Sequence, residues 1–259
     1  GGVHPDENKS VSTRLPIAKL AIPKKLVLPL RQHVGHVAKV KVKPGDQVLK
    51  GQMIAEADGN ISASIHAPTS GKILKISEEI LPHPSGLPDF CITIEPDFED
   101  TWIEKKPISW KKIDRAQLIE ALAQSGIVGL GGAVFPTHMK LKINQNQTIH
   151  TLVINAAECE PFITCDDMLM RERADEIIQG ALITQTILGA EKCVVGIEDN
   201  KIESYEALKK AAQKTVVEIK VVPTLYPSGD AKRLIFLLMG IEVPKEKRSV
   251  DLGIQVFNV

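Results

Sequence analysis

Apolar and polar positions alternate with a period of two over much of the first part of the chain, a pattern typical of half-buried β-strands. Residues 37–42 (VAKVKV) alternate in this way and lead into a turn at 43–46 that contains proline and glycine. We therefore predict a β-rich domain over residues 1–105. The other segments with a strand pattern lie at 48–56, 62–66 and 72–76.

Prolines interrupt residues 77–112 and flank a short apolar run at 90–94. Proline has no backbone N–H, so it disrupts both central strands and helix interiors. We predict that this region contains loops, one edge strand at 90–94 and a crossing between two domains. The prolines are Pro82, Pro84, Pro88, Pro96 and Pro107.

Further along the chain the hydrophobic period changes to about 3.6, the period of a helix. Asp114 is a predicted N-cap, and Gly126 and Gly189 are predicted helix stops. Alternating strands and helices predict an α/β domain with a mainly parallel sheet over residues 106–245. Residues 246–259 are predicted to begin a further domain that is not completed here. The predicted strands are 151–154, 193–197 and 216–222, and the later helices are 166–188 and 203–214.

Three glycines and a lysine lie close together in residues 129–140 (GLGGAVFPTHMK). Glycine permits positive φ and lets a ligand approach the backbone, so Gly129, Gly131 and Gly132 favour a nucleotide phosphate, to which Lys140 adds charge. The segment follows a predicted helix rather than a strand. This order argues against a standard Rossmann turn and for a different nucleotide cradle. A glycine-rich turn without a ligand remains the alternative.

Polar side chains also follow two of the predicted strands. Asn155, Glu158 and Glu160 come directly after the strand at 151–154, where α/β sheets bind ligands. Gly229 and Asp230 come after the last strand. Since Asp230 precedes an apolar helical pattern, its alternative role is ordinary helix capping.

These motifs resemble those of two related protein families. Residues 129–140 and 155–161 (NAAECEP) are similar to stretches in the flavin- and NADH-binding subunit of respiratory complex I. With 1–5 (GGVHP), 163–167 (ITCDD) and 226–230 (YPSGD), the chain more closely resembles the C subunit of the Rnf-type ion-translocating electron transport complex. This resemblance covers essentially the whole chain.

The resemblance implies an electron-input subunit that binds FMN and NAD(H). Glycine backbones and Lys140 would hold phosphate, Asn155 would contact the flavin, and Glu158 and Glu160 would orient ribose or nicotinamide. Phe135 would stack on the ligand or anchor the loop. We predict neither a catalytic side chain nor a metal ligand. The predicted cofactor-binding residues are Gly129, Gly131, Gly132, Phe135, Lys140, Asn155, Glu158, Glu160, Gly229 and Asp230.

Three positions depart from the pattern of the complex I subunit. Leu130 replaces an arginine, and Ala157 and Ala231 replace acidic residues. These changes affect NADH specificity more than FMN binding. They also keep open a non-catalytic structural role, like that of the quinone-binding A subunit of the sodium-translocating NADH:quinone reductase.

The β-rich domain resembles a barrel-sandwich hybrid of the biotinyl or lipoyl type. In carrier domains of that type a modified lysine occupies the hairpin between the two halves. Here the hairpin at 58–62 (DGNIS) contains no lysine, so we predict an architectural role. His33, His36 and His66 are predicted to be ordinary surface or core histidines rather than metal ligands.

Composition limits the possible partners. Lys+Arg and Asp+Glu both number 32, so the net charge gives no sign of nucleic-acid binding. No apolar run is long enough to span a bilayer. The resemblance therefore implies a peripheral position on the cytoplasmic side of the bacterial inner membrane, held there by other subunits of the complex.

The four cysteines lack the spacing of an iron–sulfur ligand run. The related subunits hold [4Fe–4S] clusters in a ferredoxin-like region, which we expect to lie C-terminal to this chain. The cysteines are Cys91, Cys159, Cys165 and Cys193.

Overall fold

The computed structural model describes residues 2–143 and 147–259, so Gly1 of the opening motif lies outside the described residues. The chain forms two compact units. One, here called the β unit, comprises Leu20–Lys142. The other, the α/β unit, combines Gly1–Lys19 with Ile143–Val259. No helix among the described residues has the length and apolarity needed to cross a membrane.

The β unit is built on two antiparallel sheets, in agreement with the predicted β-rich fold. A four-stranded sheet has the order β1-β7-β6-β3, and a three-stranded sheet has the order β2-β4-β5. Their inward-facing residues, among them Ile54, Ile73 and Ile92, are fully buried. The strands are β1 (Leu26–Pro29), β2 (Lys39–Val40), β3 (Gln47–Val48), β4 (Met53–Glu56), β5 (Ile65–His66), β6 (Gly71–Ile80) and β7 (Pro88–Pro96).

The prediction of an edge strand at 90–94 is wrong, because β7 lies inside the four-stranded sheet between β1 and β6. Proline did not exclude this position, since Pro88 and Pro96 stand at the two ends of β7. Strand β1 pairs only with residues 91–94. The missing N–H groups therefore fall outside the part of β7 that is paired on both sides.

The segment at 33–36 bonds to the predicted hairpin between β4 and β5. The His33 Nε2 atom accepts a hydrogen bond from the Ala63 N–H at 3.0 Å. The Ser62 hydroxyl donates to the His36 carbonyl at 3.0 Å. The His33 imidazole thus has a structural role in this turn, whereas His36 contributes its backbone carbonyl.

Two helices complete the β unit: α1 (Arg115–Ser125) and α2 (Thr137–Leu141). Asp114 caps α1 as predicted, because its Oδ1 atom accepts the Gln117 N–H at 2.8 Å and Gln117 bonds back to the Asp114 N–H. Gly126 ends the helix with φ of +68°. Both helices belong to the β unit, whereas the sequence grouped residues 106–142 with the α/β domain.

The α/β unit contains a fully parallel four-stranded sheet in the order β10-β9-β8-β11. This confirms the predicted α/β fold class. The chain places β9 and β10 on one side of β8 and then returns to place β11 on the other, so the order reverses beside β8. Its elements are β8 (Thr151–Ala156), α3 (Cys165–Leu188), β9 (Lys192–Glu198), α4 (Ile202–Ala212), β10 (Val217–Val222), α5 (Ala231–Met239) and β11 (Ile254–Asn258).

The C-terminal residues differ from the predicted beginning of a further domain. Strand β11 pairs in parallel with β8, from Ile254 opposite Thr151 to Asn258 opposite Asn155. Val256 packs in the same buried cluster as other residues of the sheet and α5. Residues 254–258 are therefore part of the α/β unit.

Candidate functional site

Parallel sheets of this kind bind ligands beyond the carboxyl ends of their strands, at the point where the strand order reverses. In the α/β unit that point lies beside β8. Strand β8 ends at Ala156, and the segment that follows, residues 157–163, is here called the acidic turn because it contains Glu158 and Glu160. Four predicted site residues therefore lie on or near this edge of the sheet: Asn155, Glu158, Glu160 and Gly229.

Asn155 connects the acidic turn to the turn after β10. Its side-chain amide donates to the Gly229 carbonyl at 2.8 Å, and its Oδ1 atom accepts the Ala157 N–H at 3.1 Å. The side chain is only 4% exposed. Asn155 was predicted to bond the flavin directly, but in this structure its polar atoms fix two turns relative to each other.

Gly229 makes a close backbone approach to the acidic turn. A Cβ atom at this position would lie 2.8 Å from the Ala157 carbonyl oxygen and 3.2 Å from the Cys159 Sγ atom. The Gly229 N–H also points at that sulfur, at 3.4 Å. Only glycine fits without displacing one of the two turns.

Glu158 caps the N-terminus of α3. Its Oε1 atom accepts the Asp166 N–H at 2.9 Å, and its Oε2 atom accepts the Asp167 N–H at 3.4 Å. The residue is 3% exposed. Since the first N–H groups of a helix have no partner within the helix, this buried carboxylate satisfies two of them.

Burial and the charge of Glu158 alter the titration of its neighbours. Desolvation, reinforced by Glu158, raises the pKa of Asp166 to about 6. Burial, followed by the charges of Asp166 and Glu158, also raises the pKa of the Cys165 thiol. The ligand atoms of these three residues lie within 4.8 Å of one another. Helix capping already accounts for the position of Glu158, so this cluster does not by itself indicate a metal site.

Glu160 and Asp230 occupy more open positions. Glu160 is exposed on the acidic turn. Asp230 is the N-cap of α5, where its Oδ2 atom accepts the Arg233 N–H at 3.0 Å. Asp230 therefore has the helix-capping role that the sequence suggested as its alternative.

Lys9 is a residue of this site that sequence reasoning missed. It is 8% exposed, and its ammonium donates to backbone carbonyls of the acidic turn. Lys9 and Glu158 are 149 positions apart, so no local pattern links them. The only signal was the position of this lysine shortly after the opening GGVHP motif.

The glycine loop, residues 129–140, lies in the β unit after α1. The Gly129 N–H donates to the Phe135 carbonyl at 2.9 Å, and the Val134 N–H donates to the Gly131 carbonyl at 3.0 Å. The positive φ expected of the loop glycines occurs instead at Val134, with φ of 45°. The loop therefore has an ordered backbone, but its glycines are not needed for left-handed geometry.

At Gly131 and Gly132 no side chain covers the backbone of the loop. Both are exposed, and no atom lies within 4 Å of the place where a Cβ would stand on either residue. The fold itself therefore has room for a side chain at each position. Packing within the chain therefore does not require glycine at these positions. Glycine there is consistent with a surface that a ligand approaches closely.

Phe135 is half-buried in the glycine loop, and Lys140 is exposed near the end of α2. Partial desolvation lowers the pKa of the Lys140 ammonium. Because the side chain remains exposed, we expect it to stay charged at neutral pH. Lys140 thus places a positive charge in the helix that follows the loop glycines.

The predicted site residues divide between the two units. The α/β unit brings Asn155, Glu158 and Gly229 together through the bonds described above and also carries Glu160 and Asp230. The β unit carries Gly129, Gly131, Gly132, Phe135 and Lys140 in one loop and the helix that follows it.

Two family models match the chain. Residues 122–259 match the Nuo51 FMN-binding domain, and residues 1–99 match the RnfC barrel sandwich hybrid domain. Both matches agree in order with the β-rich and α/β parts of the structure.

Curated relatives match over the whole chain. The C subunit of the ion-translocating oxidoreductase complex of Erwinia tasmaniensis is 48% identical over 261 residues, covering 100% of this chain and 32% of the relative. The subunit of the same name from Vibrio cholerae is 48% identical over 260 residues, covering 100% of this chain and 34% of the relative. The chain thus spans about a third of the length of these relatives.

Among solved structures, the crystal structure of an NAD+-reducing [NiFe]-hydrogenase in the H2-reduced state is similar to part of the chain. The match has 23% identity and a TM-score of 0.47, and covers 56% of this chain and 28% of the other.

Proposed function

The chain belongs to the family of the Nuo51 FMN-binding domain, and from this premise we propose that it is the NADH-facing electron-input subunit of a membrane-bound, ion-translocating NAD:ferredoxin oxidoreductase. The resemblance to the C subunit of ion-translocating complexes is confirmed by relatives 48% identical over the full chain. In this proposal the chain binds FMN and NAD(H) and passes electrons to [4Fe–4S] clusters carried outside these residues.

The observation that carries the proposal is the bare backbone at Gly131 and Gly132. A phosphate needs N–H donors that it can approach without a Cβ in the way, and the open space at both glycines meets that requirement. Lys140 supplies a positive charge for the same anion. We propose that these groups, with Gly129, hold the phosphate of FMN.

The polar residues of the α/β unit have different proposed roles. Glu160 is exposed and suited to bond a ribose hydroxyl or the nicotinamide amide. Asn155 and Glu158 are already bonded within the chain, so we propose that they position the acidic turn rather than bind by their own polar atoms. Gly229 allows the two turns to approach each other, and Asp230 fixes the start of α5.

When bound, FMN would supply the redox chemistry by exchanging a hydride with NAD(H) and electrons with metal centres. The protein would supply position, charge and exclusion of water. Other subunits of the complex would hold the chain peripherally at the cytoplasmic side of a bacterial inner membrane.

A structural role without flavin is the competing proposal, and Leu130 is the observation in its favour. Leu130 is 94% exposed in the glycine loop, where the complex I subunit has an arginine that could bind an anion. Under this alternative the loop would contact another protein of the complex.

Titration of the purified chain with FMN distinguishes the two proposals. For the electron-input subunit we expect saturable binding of one FMN per chain. Quenching of flavin fluorescence measures this binding. Bleaching of the bound flavin by NADH under anaerobic conditions then tests the NAD(H) part. Absence of saturable FMN binding to a folded chain would favour the structural role.

A further inference from the structure

The N-terminal segment, residues 2–19, crosses the carboxyl edge of the parallel sheet. Val3 forms two backbone hydrogen bonds with Tyr226, after β10, each of 2.9 Å. The Glu7 carboxylate accepts the side-chain amide of Asn200, after β9, at 2.9 Å. The Glu7 carbonyl accepts the Phe162 N–H in the acidic turn, also at 2.9 Å. The segment therefore borders the edge at which such sheets bind ligands.

Lys9 attaches this segment to the acidic turn through its side chain. Its ammonium donates to the carbonyls of Glu158 at 2.8 Å, Glu160 at 2.9 Å and Ile163 at 2.6 Å. These bonds use all three N–H groups of the ammonium. One side chain thus fixes the first, middle and last parts of the turn.

The acidic turn has a conformation that needs such support. Phe162 has a φ of 66°, in the left-handed region that a bulky residue rarely adopts. Its side chain is exposed and therefore does not offset that conformation by packing in a core. The Phe162 N–H donates to the Glu7 carbonyl, and Lys9 donates to the carbonyls of Glu160 and Ile163 on either side of Phe162, so these bonds hold the backbone there.

Buried charges surround Lys9. Desolvation lowers the pKa of Lys9, and the charge of Lys201 lowers it further, whereas Glu158 and Glu198 act in the opposite direction. Glu198 is 1% exposed and lies 3.7 Å from the Lys201 ammonium. Among the described residues, neither Glu198 carboxylate oxygen accepts a hydrogen bond of ordinary geometry. Burying charge is costly unless the charged group is paired and hydrogen-bonded, and Lys9 meets that condition through its three carbonyl partners.

We propose that Lys9 is a positioning residue that holds the acidic turn in its ligand-binding conformation through three backbone carbonyls. The inference rests on the proposed function for the nature of the ligand. Its structural part, the ordering of residues 157–163 by Lys9, is independent of FMN. Lys9 belongs to the α/β unit, whereas the glycine loop proposed to hold phosphate belongs to the β unit.

The test compares Lys9→Ala with Arg14→Ala, which removes an exposed cation from the same segment. Hydrogen exchange is followed at the Phe162 N–H in the absence of nucleotides, and NADH affinity is measured separately. In Lys9→Ala we expect exchange at Phe162 and the Kd for NADH, the ligand proposed for Glu160 of the same turn, each to increase by about tenfold or more, the usual effect of losing charge-assisted bonds. Arg14→Ala should resemble the wild type in both.

Chemical rescue separates positioning from general stabilisation. Lys9→Ala removes the atoms of a propylammonium ion, so added propylammonium should restore slow exchange at Phe162 and much of the NADH affinity. Tetramethylammonium carries the same charge but cannot donate to carbonyls and should restore neither. Lys9→Met, which keeps most of the side-chain volume, serves as the second variant if Lys9→Ala does not fold.

The outcomes of the proposal and of the proposed function are distinguishable. Unchanged exchange at Phe162 in both Lys9 variants would overturn the positioning role, whatever the affinity for NADH. Faster exchange spread equally over β10 and α4 would also overturn it, because that result indicates general destabilisation. A wild-type chain that does not bind FMN contradicts the proposed function, while the exchange data still decide the role of Lys9.

Discussion

The Glu158 carboxylate accepts the backbone N–H of Asp166 at 2.9 Å and so joins the acidic turn to the first turn of α3. This bond couples the end of β8 to the longest helix of the α/β unit. A change at Glu158 is therefore expected to affect the stability of the unit as well as the shape of the turn.

Glu158→Ala should destabilise the folded chain by about 1–3 kcal/mol, because it leaves buried N–H groups at the start of α3 without a partner. The measurement is the free energy of unfolding from denaturant titration. Glu160→Ala is the matched control, since its side chain is exposed two positions further along the same turn. Equal stability of the two variants would contradict the capping role of Glu158.

Gly229→Ala should destabilise the chain by about 1–3 kcal/mol, because the added Cβ meets the Ala157 carbonyl at 2.8 Å. Thermal unfolding followed by circular dichroism would measure the loss. Gly180→Ala in α3 is the control, since a Cβ there meets no atom within 4 Å. It should be neutral or stabilising by up to about 1 kcal/mol. A Gly229→Ala protein as stable as the wild type would show that the turns can separate freely.

Local signals in the sequence predicted much of the fold. Asp114 and Gly126 marked the ends of α1, and Gly189 marked the end of α3, because capping depends on residues within a few positions of each other. The parallel sheet followed from strands alternating with helices. The central position of β7 and the pairing of β11 with β8 were missed, because strand neighbours are set by tertiary packing.

Parts of the candidate site could be identified from the sequence where their residues lie close together along the chain. The glycine loop stood out by composition, although Val134 rather than a glycine adopts positive φ. The acidic turn was located by its place after a strand. The bonds that engage Asn155 and Glu158, and the role of Lys9, depend on distant segments meeting, which spacing along the chain does not show.

Lys140→Ala should weaken FMN binding by about tenfold or more, because a charge-assisted contact to phosphate contributes roughly 1.5–3 kcal/mol. Fluorescence titration with FMN measures the Kd. Lys112→Ala removes another exposed lysine of the β unit and should leave the Kd unchanged. Riboflavin, which lacks the phosphate, should bind the wild type and both lysine variants with the same affinity. If Lys140→Ala and the wild type gave the same FMN curve, Lys140 would not contact the phosphate.

The isolated chain should not assemble a [4Fe–4S] cluster. Cys91, Cys159 and Cys193 are buried, and burial raises the pKa of Cys193 to about 12, which disfavours the thiolate that iron requires. After anaerobic reconstitution with iron and sulfide, the protein should lack the broad visible absorbance of a cluster. A stoichiometric cluster with an electron paramagnetic resonance signal on reduction would return these cysteines and Cys165 to the candidate ligands.

Asp166 should make stability depend on pH between about 4 and 6. Desolvation and the charge of Glu158 raise its pKa in the folded state to about 6 from an ordinary value of 3.8. Folding therefore favours the protonated acid, so the stability that Asp166 contributes is fully present below its unfolded pKa. That contribution is lost as the pH rises through about 6.

Asp166→Asn removes this loss while keeping the backbone N–H that Glu158 accepts. The variant should match the wild type near pH 4 and become more stable above pH 6, by about 1 kcal/mol or a few degrees in Tm. This is less than the full pKa shift implies, because partial exposure and the positive end of α3 favour the carboxylate. Asp175→Asn, an exposed change on the same helix, should show no such pH-dependent gain. Thermal unfolding from pH 4 to pH 8 measures the difference, and a gain for Asp166→Asn that is constant across this range would refute the assignment to Asp166.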